Sequence, residues 1–139
     1  MYLVRLIYCS AVTHTLNMRE VEQIISTAKE NNSKDEVTGL LCFNRKYFLQ
    51  CLEGSRTNVN KIYHSILNDP RHNKIVLLEY DEIAQREFPN WAMGYVPESD
   101  LTKPLCIKYS GNSEFNPYEM RGEGCLGMML ELRDNVTVI

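Results

Sequence analysis

The chain has 139 residues, 44% of them hydrophobic and 24% charged, with 15 Lys and Arg against 18 Asp and Glu for a formal charge of −3. That length suits one domain around one core, and the mild acidity argues against a nucleic-acid partner, whose binding needs a basic face. No apolar run is long enough for a membrane span, no signal-peptide pattern opens the sequence, and five cysteines without CxxC spacing point to reduced thiols in a cytoplasmic protein rather than to a disulfide framework or a metal site.

Residues 2–10 alternate as a strand, with Val4, Leu6 and Tyr8 on one face and Leu3, Ile7 and Cys9 on the other. Arg5 falls with the second set, so that face must meet something other than a plain apolar layer. After a polar loop over 11–16, Asn17 is placed to cap a helix, with Glu20 three residues on. Met18, Val21, Ile24, Ile25 and Ala28 recur at helical spacing and predict one buried face, ending near Asn31 and Asn32. Residues 36–43 and 47–53 predict a hairpin turning at Asn44-Arg45-Lys46. Gly54-Ser55-Arg56-Thr57 leads into a second helix whose inner stripe is Val59, Ile62, Tyr63, Ile66 and Leu67, and which Pro70 brings to an end. A fourth strand is predicted over 74–80, extendable through Ile83, and a fifth over 91–96 with Trp91, Met93 and Tyr95 on a common face.

The order strand, helix, two strands, helix, two strands, joined by right-handed crossovers, predicts an α+β fold. It is a ferredoxin-like βαββαββ sandwich with a mixed five-stranded sheet and both helices on one face. Residues 1–96 would form this core and 97–139 a C-terminal helical extension packed on the sheet. Helices are expected over 98–107 and 117–132, the second turning Met120, Leu126, Met129 and Leu130 inward. Gly122, Gly124 and Gly127 weaken that second helix at about 1 kcal/mol each.

Gln50 poses the chemical question. Parity puts Phe48, Gln50 and Leu52 on one face of the third strand, and a buried amide without partners costs about 1–3 kcal/mol. The first strand, its neighbour in this topology, offers Tyr8. Alone, a phenol–amide pair is more often a satisfied core contact than a site. Asn31 and Asn32 alone read as cap residues, Arg71-His72 as a pair compensating a helix end, and Trp91 and Met93 as core. Together, Ile24, Ala28, Asn31, Asn32, Ile66, Arg71 and His72 border one groove whose floor carries Tyr8 and Gln50. Amides for a polar ring edge, aliphatics for ring faces and an arginine for phosphate describe a nucleotide-cofactor slot.

The motifs Leu6-Ile7-Tyr8-Cys9-Ser10, Asn31-Asn32, Val37-Thr38-Gly39-Leu40-Leu41, Phe48-Leu49-Gln50-Cys51-Leu52-Glu53-Gly54, Asp69-Pro70-Arg71-His72 and Phe88-Pro89-Asn90-Trp91-Ala92-Met93 follow one another in a single register. In this the chain resembles the BLUF family of blue-light sensors using FAD, from residue 3 to about 96. Lys108-Tyr109-Ser110-Gly111 and Phe115-Asn116-Pro117 are similar to short stand-alone members of the PixD and BlsA type.

The resemblance implies non-covalent FAD, with Tyr8 and Gln50 as the photoactive pair and Asn32 holding the polar edge of the flavin ring. Asn31, Arg71 and His72 match positions along the ring, ribityl or phosphate region, and Ile24 and Ile66 match an aliphatic clamp. Ala28, Phe48, Leu52 and Asp69 complete the expected cofactor-binding set. Trp91 and Met93 match positions that relay a change of hydrogen bonding. Two departures stand out: Ser65 where some relatives carry a basic residue near the phosphates, and Ala28 where some carry a small polar one. The resemblance further implies a photosensor rather than an enzyme, a separate effector or regulator protein as partner, and a homo-oligomer, with no metal, nucleic acid or membrane involved. The rival readings are a small flavin redox enzyme, an RNA-recognition module, an acylphosphatase-type hydrolase and a ferredoxin-like ligand-binding module without photochemistry. No nicotinamide-binding glycine motif, aromatic-glycine RNA signature or arginine-bearing loop over 11–16 supports the first three.

Overall fold

A computed structural model describes residues 2–100, 102–135 and 138–139. Ten residues open the sheet as β1 (Leu3–Val12), followed by α1 (Met18–Lys34), β2 (Thr38–Phe43), β3 (Tyr47–Ser55), α2 (Arg56–Leu67), β4 (His72–Glu82) and β5 (Gly94–Pro97). Then come α3 (Lys103–Ser110), a 3-10 turn (Pro117–Glu119) and α4 (Gly122–Asn135). The strands form one mixed sheet in the order β4-β1-β3-β2-β5, antiparallel except where β5 runs parallel to β2. This is the ferredoxin-like α+β sandwich that the element order predicts.

Local chemistry sets the boundaries. Asn17 and Glu20 close a reciprocal capping box at the start of α1. Ser55 accepts the N–H of Asn58 to start α2. Glu36 adopts a left-handed φ of 55°, so β2 begins at Thr38, later than the strand expected from residue 36. β4 begins earlier than expected, at His72. Two residues assigned to buried helix stripes are exposed, Met18 in the first turn of α1 and Leu67 in the last turn of α2, because each lies at the end of its helix, past the buried stripe.

Two cores flank the sheet. Val4, Leu6, Tyr8, Phe48 and Leu52 face α1 and α2 along with Val21, Ile24, Ile25, Val59 and Ile62. Ile7, Cys9, Leu49 and Cys51 face the C-terminal elements, meeting Cys106, Phe115, Cys125, Met128, Met129 and Leu132. In α4 the buried positions are Cys125, Met128, Met129 and Leu132, whereas Leu126 and Leu130, expected inside, are half-buried at its flank. The glycines that count against α4 by propensity are what let it pack. A Cβ on Gly122 would lie 2.5 Å from the Leu78 carbonyl oxygen, and one on Gly127 would lie 2.9 Å from the Tyr109 ring.

Arg5 finds its explanation on this second face. Its guanidinium meets the fully buried Glu53 carboxylate at 2.9 Å. Glu53 also accepts the backbone N–H groups of Glu87 and Phe88 at 2.8–3.1 Å, tying β1 and β3 to the segment that leads into β5.

Candidate functional site

Between α1 and α2, above the middle of the sheet, lies a cavity of about 310 Å³. Its walls are aliphatic, with Ile24 and Ala28 from α1 facing Ile62 and Ile66 from α2, and its floor is Tyr8, Leu41, Phe48 and Gln50. Asn31, Asn32, Asp69, Arg71 and His72 complete the side toward the helix ends. Every residue expected to bind a cofactor therefore lines this one space, except Leu52, which is fully buried in the core beneath it.

The floor is a chain of hydrogen bonds. Tyr8 and Gln50 are direct partners across β1 and β3, and the Tyr8 hydroxyl donates to Gln50 Oε1. Gln50 Nε2 donates to the Met93 Sδ at 3.4 Å, a weak acceptor. Burial pushes the Tyr8 phenol far above its ordinary pKa, so it stays protonated. Burial lowers the His72 imidazole below its ordinary range, its Nδ1 shares a 2.8 Å hydrogen bond with the Ser10 hydroxyl, and its ring lies against Phe48.

Trp91 and Met93 do not share a face. Met93 is buried against Gln50 on the α1/α2 side, whereas Trp91 packs into the core under α3 and α4. The expected alternation fails because pairing with β2 starts only at Gly94. Ahead of it the chain bends, with Asn32 Nδ2 holding the Ala92 carbonyl at 2.8 Å and the Gly39 N–H holding the Trp91 carbonyl at 3.0 Å. Asn32 thus touches both the cavity and the entry to β5.

At the mouth, Arg71 is forked onto Asp69 at 2.7–3.1 Å, and that contact holds the Asp69 carboxyl below its usual range. The sequence reading missed Thr27, Lys34, Asp35, Leu41, Lys61 and Ile62 as lining residues. Lys61 lies one helical turn before Ser65, whose hydroxyl donates to the Lys61 carbonyl, and its ammonium sits 3.3 Å from Asp35. That i, i+4 spacing was available in the sequence: Lys34 and Lys61 supply charge at the mouth where Ser65 supplies none. Among the described residues no group of His, Cys, Asp and Glu is arranged for a metal ion, and no helix is long and apolar enough to cross a membrane.

The donor set fits a flavin. Ring faces would meet Ile24, Ala28, Ile62 and Ile66, the polar ring edge would meet the amides of Asn31, Asn32 and Gln50, and anionic groups would meet Lys34, Lys61 and Arg71.

Comparison with known proteins gives the same answer. The blue light- and temperature-regulated antirepressor BluF of Escherichia coli (strain K12) is 40% identical over 86 residues, which is 62% of this chain but 21% of that protein. The chain therefore spans about a fifth of the length of this relative. The structure of the BlsA photo-activated state superimposes with a TM-score of 0.83 at 26% identity, covering 94% of each chain. Klebsiella pneumoniae BlrP1 with FMN and cyclic diGMP gives 0.64 at 32% identity, over 68% of this chain and 26% of that one. The family model "BLUF: Sensors of blue-light using FAD" matches residues 3–94. The chain belongs to the BLUF family of flavin-using blue-light sensors.

Proposed function

We propose that the chain is a photosensor, not an enzyme, that binds FAD non-covalently in the cavity between α1 and α2 and reports illumination through the Tyr8–Gln50 pair. The observation that carries this reading is the hydrogen-bonded chain Tyr8–Gln50–Met93 on the cavity floor. It links the space where a ring fits to the start of β5.

A flavin held in this cavity would supply blue-light absorption and electron-accepting chemistry. Tyr8 is the donor; its buried, neutral phenol loses a proton together with the electron, and Gln50 Oε1 is the acceptor in place for that proton. The electron and a proton return to Tyr8: if it is the same proton, the Gln50 amide is intact and left rotated, and if Oε1 keeps the Tyr8 proton, one Nε2 proton is given up in its place and Gln50 is left tautomerised. The two ends of the amide differ as donor and acceptor, so rotation withdraws the N–H from Met93 while tautomerisation turns Oε1 into a donor, and either gives the cavity a new hydrogen-bonding edge. Asn32, Ile24 and Ile66 hold the ring in register, Asn31 and His72 line its flank, and Arg71 with Lys34 and Lys61 neutralises phosphate. Residues 1–96 act as the sensor and 97–139 as the output layer, with Met93 on the sensor side and Trp91 on the output side. The output is association with a separate effector or regulator protein in the cytoplasm, and self-association of the chain.

A visible spectrum before and after blue light tests this. The purified protein should be yellow and show a reversible red shift, and Gln50→Leu should keep the flavin but lose the shift. A normal shift in that variant overturns the mechanism. Chromatography of the released flavin should give FAD, and FMN would correct the cofactor. Size measurements in dark and light should show a change of assembly or of complex with the partner.

A further inference from the structure

Tyr8 has a second phenol beside it. The Tyr63 ring of α2 lies 5.5 Å from the Tyr8 ring, centroid to centroid, and is tilted against it by 52°, within the contact range of aromatic pairs. The other oxidisable rings near the cavity are placed differently. Trp91 belongs to the core on the opposite side of the sheet, and Tyr95 packs with Phe43. Among the described residues, Tyr63 is therefore the one tyrosine or tryptophan in ring contact with Tyr8.

The two phenols differ in their access to water. Tyr8 lines the cavity and is 1% exposed, whereas Tyr63 does not line it and is only half-buried. Burial, and after it the neighbouring Tyr63, push the Tyr8 phenol above its ordinary range, and burial raises Tyr63 as well, so both rest in the neutral form. A neutral phenol gives up an electron readily only if its proton leaves too, because the oxidised phenol is a strong acid. For Tyr8 the acceptor in place is Gln50 Oε1, an amide oxygen and a poor base, which returns the proton easily. For Tyr63 the acceptor is water, which carries the proton away.

We propose that Tyr63 is a second redox-active tyrosine, through which a small water-soluble one-electron reductant refills the oxidised Tyr8. The step rests on the photosensor reading above, which supplies the oxidised Tyr8. Tyr63 passes one electron to Tyr8 and its phenol proton to water, so the Tyr63 O–H bond breaks. Tyr8 takes that electron and a proton from Gln50, so the Tyr8 O–H bond forms again. The reductant then gives one electron to Tyr63, which recovers a proton from water. In sum the reductant is oxidised by one electron, and the electron that first left Tyr8 stays in the cavity with the flavin. Light thereby drives a net reduction whenever this transfer outruns the return of the electron to Tyr8.

The test uses the full-length, flavin-loaded chain freed of unbound flavin, with ascorbate as the reductant. Without ascorbate, the parent and Tyr63→Phe should both show the reversible red shift, since phenylalanine keeps the ring and leaves Tyr8 and Gln50 untouched. Under blue light with ascorbate, the parent's flavin absorption should bleach, and that of Tyr63→Phe should bleach at least about tenfold more slowly. A nitroso spin trap present during illumination without ascorbate should leave its adduct on the parent's Tyr63, located by peptide mass spectrometry. Equal bleaching of the two proteins, no bleaching of the parent, or no adduct on Tyr63 overturns the relay while the red shift upholds the photosensor reading. Loss of the red shift in Tyr63→Phe alone makes Tyr63 a support of the site and also overturns the relay. A parent without a red shift overturns the photosensor reading, and the relay with it.

Discussion

On the α1/α2 side of the sheet, Tyr8, Gln50 and Asn32 stand around an open cavity; on the α3/α4 side, all five cysteines of the chain are packed with Met120, Met128, Met129 and Leu132 into a closed layer. Both faces also carry buried polar groups, and their partners differ. Arg5 and Glu53 satisfy each other and two backbone N–H groups within the protein. Gln50 has one strong partner and one weak one, a thioether. Polar groups that are fully paired internally hold a fold together, whereas a group with a weakly engaged donor beside a cavity is free to take a ligand and to change its bonding.

Substitutions can break that contrast. The largest effect is expected from Glu53→Ala, which leaves the buried Arg5 guanidinium and two N–H groups without an acceptor. It should cost about 3–5 kcal/mol in a urea unfolding curve, and a loss below about 1 kcal/mol would mean that the pair is not a structural anchor. Met129→Ala, in the closed layer, should cost about 2–5 kcal/mol. Ile66→Ala at the half-buried cavity wall should leave stability within about 1 kcal/mol of the parent and act instead on flavin affinity. Equal stability losses from these two would erase the difference between the faces. If Arg71 binds a phosphate as proposed, Arg71→Ala should lose a charge-assisted contact of about 1.5–3 kcal/mol, which corresponds to roughly 10–150-fold weaker flavin binding in a fluorescence titration.

The smallest effect concerns pH. On β4 the Glu79 carboxyl is pushed up to about 7, first by its hydrogen bond with Asp81 and then by burial, with Arg5 opposing and Glu123 adding to the rise. One of its oxygens is buried without a hydrogen-bond partner. A raised folded-state value means that the folded chain holds the proton more tightly than the unfolded one. The contribution is therefore complete below the ordinary carboxylate range and disappears as pH climbs through about 7. Tm should fall over that interval, and Glu79→Gln should flatten the profile. An unchanged slope in the variant would place the pH dependence elsewhere.

Much of this was written locally in the sequence. Strand alternation put Tyr8 and Gln50 on the same face, and pairing of β1 with β3 then brought them opposite one another. The capping box at Asn17 announced α1. Arg5, out of place on an apolar face, signalled the buried pair with Glu53, although its partner could not be named from one strand alone. What failed depended on contacts between distant segments. Trp91 and Met93 part ways because Asn32, about sixty positions earlier, takes the Ala92 carbonyl and bends the chain. Leu126 and Leu130 lost their inward places to Cys125, Met128 and Leu132 because close approach at Gly122 and Gly127 sets how α4 lies on the sheet. Leu52 has the right parity for the cavity but sits too deep to reach it.

The far edge of the sheet has a consequence of its own. β4 slips register against β1 twice, and Lys74 adopts a φ of 50° there while the Tyr118 hydroxyl occupies its carbonyl. An uninterrupted edge is a template on which further strands can grow, and slips and lysines spoil it. Val76, Leu77 and Tyr80 can thus remain exposed on β4 without inviting chains to stack side by side. With the β4 edge spoiled in this way and the Tyr95 N–H and carbonyl on β5 already paired with Ile139, neither side of the sheet offers an uninterrupted ladder on which strands could add without end.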